Sequence, residues 1–212
     1  MTDNAKREDL EPVRYMELGS SEEDKRLYSD YFQRSFYWMF GAGADGSFAH
    51  RNYFVSDYDN NLNYIKCNPY VKKIWLKIAE KLDIDVKTQV GRCYLLGQTA
   101  QMDGPWHQDN TEDDDCRTIV YYPVKEVHRR HRGTQFRFDD GAEEEAPYQQ
   151  DWFVDFNADI YHRGLSTTSK DDLRVALVFQ CYHLSKVQDF IFQNTCGNDE
   201  RLDGLIGPII PR

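Results

Sequence analysis

Short β-like runs dominate the chain from about residue 89 onward, and they constrain the fold more than any other feature of the sequence. Each run is rich in β-branched or aromatic residues, and Gly, Asp or charged turns separate one run from the next. The runs cover residues 89–96, 117–123, 134–138, 151–156 and 173–183. Several short strands joined by such turns predict an all-β sandwich or a jelly roll.

The run 173–183 has two faces of different character, because successive side chains of a strand point to opposite sides. One face is small and polar enough to line a cavity, and the other is apolar enough to meet helices. The first consists of Arg174, Ala176, Val178 and Gln180, and the second of Val175, Leu177 and Phe179.

Two helices are predicted in the first part of the chain. Residues 21–39 begin with a Ser cap and early acidic residues, and they carry apolar residues at helical spacing. Residues 68–82 begin with Asn-Pro and have an amphipathic pattern. Residues 1–20 are predicted as a polar lead-in, and the aromatic-rich stretch 51–58 is a candidate strand.

The composition suits a folded, acidic protein. Of the 212 residues 40% are hydrophobic, which is enough for a packed core, and the formal net charge is -10. An acidic chain is poorly suited to general nucleic-acid binding, which relies on Lys and Arg to neutralise phosphates. The five cysteines are scattered without a C-x-x-C pair, as expected for reduced thiols in a cytoplasmic protein. The polar N-terminus predicts no signal peptide, and no apolar run is long enough to span a membrane.

The segment Gly104–Asp109 (GPWHQD) contains a candidate pair of metal ligands. If it is extended, His107 and Asp109 project from the same face. An imidazole and a carboxylate side by side form two thirds of a 2-His-1-carboxylate triad, which leaves positions of an octahedral Fe(II) open for other ligands. His162, which follows the run 151–156 after a short turn, is expected to supply the third ligand. The pattern His-x-Asp alone also occurs in surface turns, so it needs support from elsewhere in the chain.

Arg174 supplies that support. It lies twelve positions after His162, on the cavity-facing side of the run 173–183. A guanidinium there can form a bidentate pair with a carboxylate ligand, whereas the alternative is a salt bridge to one of the many acidic residues of the chain. The order His-x-Asp, His, Arg favours a site that holds a metal and a carboxylate ligand together.

This order resembles the Fe(II)/2-oxoglutarate-dependent oxygenase superfamily, and specifically its prolyl-hydroxylase-like branch. The resemblance covers about residues 89–185. It includes His107-Gln108-Asp109, the run 116–122 (CRTIVYY), the turn 133–136 (GTQF), His162 and Arg174.

The resemblance implies roles for the residues of the site. His107, Asp109 and His162 would bind Fe(II), and Arg174 and Tyr122 would hold the distal carboxylate of 2-oxoglutarate. Two further cofactor contacts are predicted, at Tyr94, near the substrate entrance or the iron, and at Thr118, which shares the face of Tyr122.

The resemblance also implies a fold. We expect an α+β protein with a double-stranded β-helix (jelly-roll or cupin-like) core and N-terminal helices packed on the outer sheet face. A single domain would cover 1–212, with a mainly helical support region at 1–88, the catalytic core at 89–186 and a C-terminal tail at 187–212.

The implied reaction is hydroxylation of a C–H bond, with 2-oxoglutarate and O2 consumed and ascorbate as a reductant. The expected substrate is a prolyl or other peptidyl residue, and a small molecule or free amino acid is the alternative. Two other readings stay open: a cupin-like dioxygenase or hydrolase without a keto acid, and a non-catalytic jelly-roll binding module with a vestigial metal site. Nucleic acid and membrane are not expected partners, and the sequence does not indicate an oligomeric state.

Four other features stand out. The basic run 127–132 is predicted as a solvated loop with surface histidines, or as a contact for an acidic substrate or a phosphate backbone. The acidic stretch 112–115 is a candidate lid, and Glu143–Glu145 is predicted as a solvated loop. Trp106 is predicted to form either a wall of the site or part of the core.

Overall fold

A computed structural model describes residues 13–34, 39–40, 54–57, 68–84, 90–109, 116–126 and 131–181. These residues form two antiparallel β-sheets and two helices, an arrangement that fits the predicted jelly-roll class. No helix in these ranges is long and apolar enough to cross a membrane.

The larger sheet has seven strands and carries one side of the site. The strand order is β1-β8-β5-β10-β4-β3-β2, and every neighbouring pair is antiparallel. The strands are β1 (Val13–Glu17), β2 (Met39–Phe40), β3 (Phe54–Asp57), β4 (Val90–Gln98), β5 (Arg117–Tyr121), β8 (Trp152–Asn157) and β10 (Arg174–Cys181).

The smaller sheet has three strands in the order β7-β6-β9 and carries the other side of the site. Its strands are β6 (Thr134–Arg137), β7 (Glu143–Ala146) and β9 (Tyr161–Gly164). Gly133, just before β6, has no room for a side chain, since a Cβ atom there would lie 1.7 Å from the carbonyl oxygen of Ala146.

The two helices are α1 (Glu22–Arg34) and α2 (Pro69–Leu82). The start of α2 follows from its sequence: the Asn68 side chain accepts from the backbone N–H groups of Tyr70 and Val71, and Pro69 needs no such partner. The helix ends where Asp83 adopts a left-handed conformation, with φ at 55°.

Two buried clusters lie on opposite faces of the larger sheet. Side chains from both helices share the first cluster with Val175, Leu177 and Phe179 of β10, and the Trp75 ring lies 5.2 Å from that of Phe179. The second cluster lies on the other face, between the sheets, and contains Ala176 and Val178. The predicted alternation of the two faces is therefore confirmed, while Ala176 and Val178, on the face predicted to line a cavity, pack within the second cluster.

Three predictions about the elements need correction. Residues 13–17 are a strand rather than a polar lead-in, because β1 pairs with the distant β8. The first helix ends at Arg34, and Met39 begins β2. Glu143–Glu145 belong to β7 rather than to a loop, because pairing with β6 holds these exposed acidic residues in a ladder.

Candidate active site

Backbone pairing brings the two candidate histidines together. The N–H of His107 donates to the His162 carbonyl at 3.0 Å, and the N–H of His162 donates back to the His107 carbonyl at 2.9 Å. The backbone N–H of Gly104 donates to the carbonyl of Gly164, and that of Asp109 to the carbonyl of Ala158. Residues 104–107 therefore run along β9 as a short additional partner of the smaller sheet, and Asp109 is held at the turn between β8 and β9.

The side chains of His107, Asp109 and His162 converge on one point. One donor atom from each lies within 4.8 Å of the others. The Nε2 of His107 is 3.5 Å from Oδ1 of Asp109, and the Nε2 of His162 is 3.5 Å from Oδ2. Asp109 and His162 are nearly enclosed, whereas 28% of the His107 side chain is exposed. The structure thus brings together the three predicted metal ligands, with the open side at His107.

The hydrogen bonds of the imidazoles indicate that this point suits a cation. The Nδ1 of His107 lies 3.0 Å from the carbonyl oxygen of Pro105, and that of His162 lies 2.9 Å from the carbonyl oxygen of Ile160. A carbonyl oxygen can only accept, so each Nδ1 carries the proton in the neutral ring. Each Nε2 then presents a lone pair towards the Asp109 carboxylate. Two lone pairs and a carboxylate facing one another fit a divalent metal ion, and the carbonyl contacts are the outer support that ligating histidines commonly have.

The charges of the triad agree with this arrangement. Burial by itself raises the pKa of Asp109, but the hydrogen bond and the charges that the protonated imidazoles offer outweigh it and hold the pKa at about 2. Burial lowers the pKa of His107, yet in the protonated ring Nε2 donates a hydrogen bond to Asp109 and leaves that pKa raised; a bound metal ion would take the place of this proton. The pKa of His162 is lowered, because burial dominates there. Asp109 is therefore an ionised carboxylate, as a metal ligand must be.

Thr118 lies against the triad. It is 1% exposed on β5, and its hydroxyl donates to Oδ2 of Asp109 at 2.5 Å. Its predicted role as a cofactor contact stays a prediction, while the structure places the hydroxyl on the carboxylate of a candidate metal ligand.

Arg174 is buried, with 1% of its surface exposed, and its guanidinium has only neutral hydrogen-bond partners among the described residues. Its Nε donates to the carbonyl of Arg132 at 2.7 Å, one terminal nitrogen donates to Gln98 at 2.7 Å, and the other donates to the carbonyl of Gly133 at 3.1 Å. None of the ion pairs between described residues involves Arg174. Among the described residues, therefore, no carboxylate forms the salt bridge that was the alternative prediction for Arg174.

Aromatic rings surround this guanidinium. It lies 5.5 Å from the ring centre of Tyr122 and 5.9 Å from that of Tyr148. The Tyr122 hydroxyl is fully buried, lies 2.9 Å from the hydroxyl of Thr134 and faces Arg174. His131 packs edge-on against Tyr148 at 4.7 Å, so this histidine is partly buried rather than a free surface residue as predicted.

Sequence reasoning did not identify Gln98, Thr134 or Tyr148. Gln98 bridges the Arg174 guanidinium and the carbonyl groups of Met102 and Gly164. Alternation along the β4 run would have placed Gln98 on the face of Tyr94, but nothing in the sequence joins it to Arg174.

Tyr94 and Trp106 take different positions. Tyr94 is half-buried at the second cluster, and its hydroxyl has a long contact of 3.5 Å with Gln180. Trp106 stacks on the guanidinium groups of Arg137 and Arg163, at 4.2 and 4.6 Å, and belongs to neither core cluster. His107 follows Trp106 directly and therefore projects from the opposite face of the chain. Trp106 thus faces away from the triad, and the prediction that it forms a wall of the site is wrong. Residues 112–115 and 127–130, which include His128, lie outside the described residues.

No protein-family model matches this sequence, and no curated protein sequence matches it either. Solved structures do match. A prolyl hydroxylase from Trichoplax adhaerens, in complex with a hypoxia inducible factor oxygen degradation domain peptide fragment, has a TM-score of 0.63 and 11% identity, covering 84% of this chain and 86% of that one. A Pseudomonas putida prolyl-4-hydroxylase has a TM-score of 0.57 and 13% identity, covering 81% and 93%.

The non-heme alpha ketoglutarate-dependent epimerase SnoN from nogalamycin biosynthesis also matches, with a TM-score of 0.53 and 9% identity over 89% of this chain and 87% of that one. At such identities the likeness is one of fold. The chain has the fold of prolyl hydroxylases and of alpha ketoglutarate-dependent non-heme enzymes, which confirms the predicted resemblance at that level.

Proposed function

We propose that this protein is an Fe(II)- and 2-oxoglutarate-dependent dioxygenase that hydroxylates a C–H bond. One observation carries the proposal. Two Nε2 lone pairs and an ionised carboxylate converge on one point, on a fold that also buries an arginine without a carboxylate partner among the described residues. A metal ligand set and a cationic clamp together match an iron and a dicarboxylate co-substrate.

His107, Asp109 and His162 would hold Fe(II). When bound, Fe(II) would activate O2, so that 2-oxoglutarate and a substrate C–H group are converted to succinate, CO2 and an alcohol. The protein would supply position: the carbonyl groups of Pro105 and Ile160 fix the histidine tautomers, and the ladder to β9 fixes the spacing.

Arg174 would bind the distal carboxylate of 2-oxoglutarate. A guanidinium has five N–H donors, and the three contacts to protein atoms leave donors for a ligand. The Tyr122 hydroxyl faces the same guanidinium and would add a second hydrogen bond. Tyr94 would contact the substrate or the iron from the same face of the larger sheet.

The proposed substrate is a prolyl or other peptidyl residue. The prolyl hydroxylase from Trichoplax adhaerens is described in complex with a peptide fragment, and its likeness covers most of both chains. In this protein the partly exposed His107 marks the open side of the triad, where a chain segment could approach.

A small-molecule substrate is the second candidate. SnoN is described in complex with Fe3+, alpha ketoglutarate and nogalamycin RO, so a structure of similar fold accepts a compound that is not a peptide. Mass spectrometry of proline-containing peptides and of small-molecule pools, each seeking the gain of one oxygen atom, would separate the two substrate classes.

Succinate release in the presence of Fe(II), ascorbate, O2 and 2-oxoglutarate tests the reaction. We expect N-oxalylglycine to compete with 2-oxoglutarate, and Asp109→Ala and His162→Ala to abolish turnover. Gln135→Ala is the control, because its side chain pairs with Glu143 and Arg163 instead of the triad. Full turnover by both triad variants would refute the metal site, and metal-dependent turnover without a keto acid would favour a cupin-like enzyme. Metal binding without any turnover would favour a binding module.

A further inference from the structure

The hydrogen bond between Thr118 and Asp109 has a geometry that bears on how the carboxylate binds a metal. Its length of 2.5 Å falls in the range of strong O–H···O⁻ bonds to an ionised acceptor. The hydroxyl donates to Oδ2, while Oδ1 is the oxygen 3.5 Å from Nε2 of His107. Oδ2 also lies 3.5 Å from Nε2 of His162, so each carboxylate oxygen faces one imidazole and only Oδ2 accepts from Thr118.

Thr118 is firmly placed for this role. It lies in β5, a strand with neighbours on both sides, where it pairs with Gln180 of β10 and Phe156 of β8. A β-branched side chain has restricted rotamer freedom, so a fixed backbone fixes the hydroxyl. Asp109 is held by its own backbone hydrogen bond to Ala158, in the turn between β8 and β9. The side-chain bond thus connects the carboxylate to an interior strand of the larger sheet.

We propose that Thr118 is a positioning residue that holds Oδ2 of Asp109, so that the carboxylate binds the metal through one oxygen and the remaining coordination positions stay free for co-substrate. This inference rests on the proposed function, since it requires the triad to bind a metal. The same hydroxyl would withdraw charge from the carboxylate and limit its rotation.

The test is metal binding by Thr118→Val and Thr118→Ser, followed with Co(II) as the probe. Valine preserves the shape and removes the donor, whereas serine keeps it. Loss of an outer-shell partner weakens metal binding about 10–100-fold, and we expect Thr118→Val to raise the Co(II) dissociation constant by that factor. Its visible Co(II) spectrum should also change, as the coordination of the carboxylate changes. Thr118→Ser should recover most of the affinity and the wild-type spectrum.

Thr167→Val is the matched control. Thr167 is also buried, at 2% exposure, and its hydroxyl accepts from the backbone of Ser169, away from the triad. A merely structural role for Thr118 would lower the thermal stability of the metal-free protein and leave the Co(II) spectrum unchanged. Should Thr118→Val not fold, Thr118→Ala takes its place in the comparison with serine.

The outcomes separate this inference from the proposed function. Wild-type affinity and spectrum in a folded Thr118→Val or Thr118→Ala variant would overturn the inference and leave the metal site intact. Failure of the wild-type protein to bind Co(II) or Fe(II) would overturn both. Weakened binding with an altered spectrum, rescued by serine, supports the inference.

Discussion

Replacing Arg174 by lysine tests the proposed co-substrate clamp most directly. The substitution keeps a positive charge and removes the planar guanidinium. In the structure the guanidinium contacts the carbonyl groups of Arg132 and Gly133 and the side chain of Gln98. An ammonium group has three N–H donors in a compact cluster and cannot reach these partners and a bidentate carboxylate at once.

The expected magnitude follows from the bonds lost. One net hydrogen bond to a charged group is worth about 1.5–3 kcal/mol, so loss of one such bond to the distal carboxylate should weaken 2-oxoglutarate binding roughly 10–150-fold. The Arg132 carbonyl would also lose its donor, at about 1–3 kcal/mol, whereas the Gly133 carbonyl keeps the backbone N–H of Leu165; the unfolding free energy should fall accordingly. Metal affinity should change little, since Arg174 does not touch the triad.

The assay is calorimetric titration of 2-oxoglutarate into the metal-loaded protein, with thermal unfolding of each variant measured alongside. Arg117→Lys is the matched control, because Arg117 has a comparable set of bonds, to Asp155 and Asn157, on the opposite face of the larger sheet. It should lose stability and keep its affinity for 2-oxoglutarate. Equal affinity of wild type and a folded Arg174→Lys variant would refute the clamp.

Two further predictions concern stability. Burial and, after it, the nearby Arg174 charge lower the pKa of His131 from 6.5 to about 4. As the pH falls between these two values, His131 takes up a proton in the unfolded chain but not in the folded protein, so the free energy of unfolding decreases. Urea unfolding should show that the free energy of unfolding is about 1 kcal/mol lower at roughly pH 5, after allowance for the exposed part of the ring. His131→Phe should remove this pH dependence. An unchanged pH profile in that variant would contradict its assignment to His131. Asp155→Asn should lower the free energy of unfolding by roughly 2–4 kcal/mol in the same assay, because it leaves the Arg14 and Arg117 guanidiniums without their buried carboxylate. A decrease below about 1 kcal/mol would show that these ion pairs contribute little to stability.

The parts of the fold that could be predicted from the sequence are those whose pattern lies within a short stretch of the chain. Alternation along 174–180 identified both faces of β10, and the same alternation put His107 and Asp109 on one side of the chain. Asn-Pro at 68–69 predicted the start of α2. In each case the determining interactions lie within a few residues of one another.

The parts that sequence did not predict depend on distant partners. The strand β1 forms because Val13–Glu17 pairs with β8, and the acidic β7 forms because β6 offers it a ladder. Neither stretch has a strong strand pattern of its own. The same holds for Gln98, whose contact with Arg174 depends on the register of β4 against β10.

The reciprocal backbone bonds between His107 and His162 have a consequence for how this site could change. The two imidazoles owe their spacing to a ladder that involves no side-chain atom. A different donor side chain at either position, such as a carboxylate or a thiolate, would therefore start from the same backbone position, and its own length would set where its donor atom lies. Metal preference in this scaffold can thus be altered one side chain at a time while the backbone that presents the ligands stays as it is.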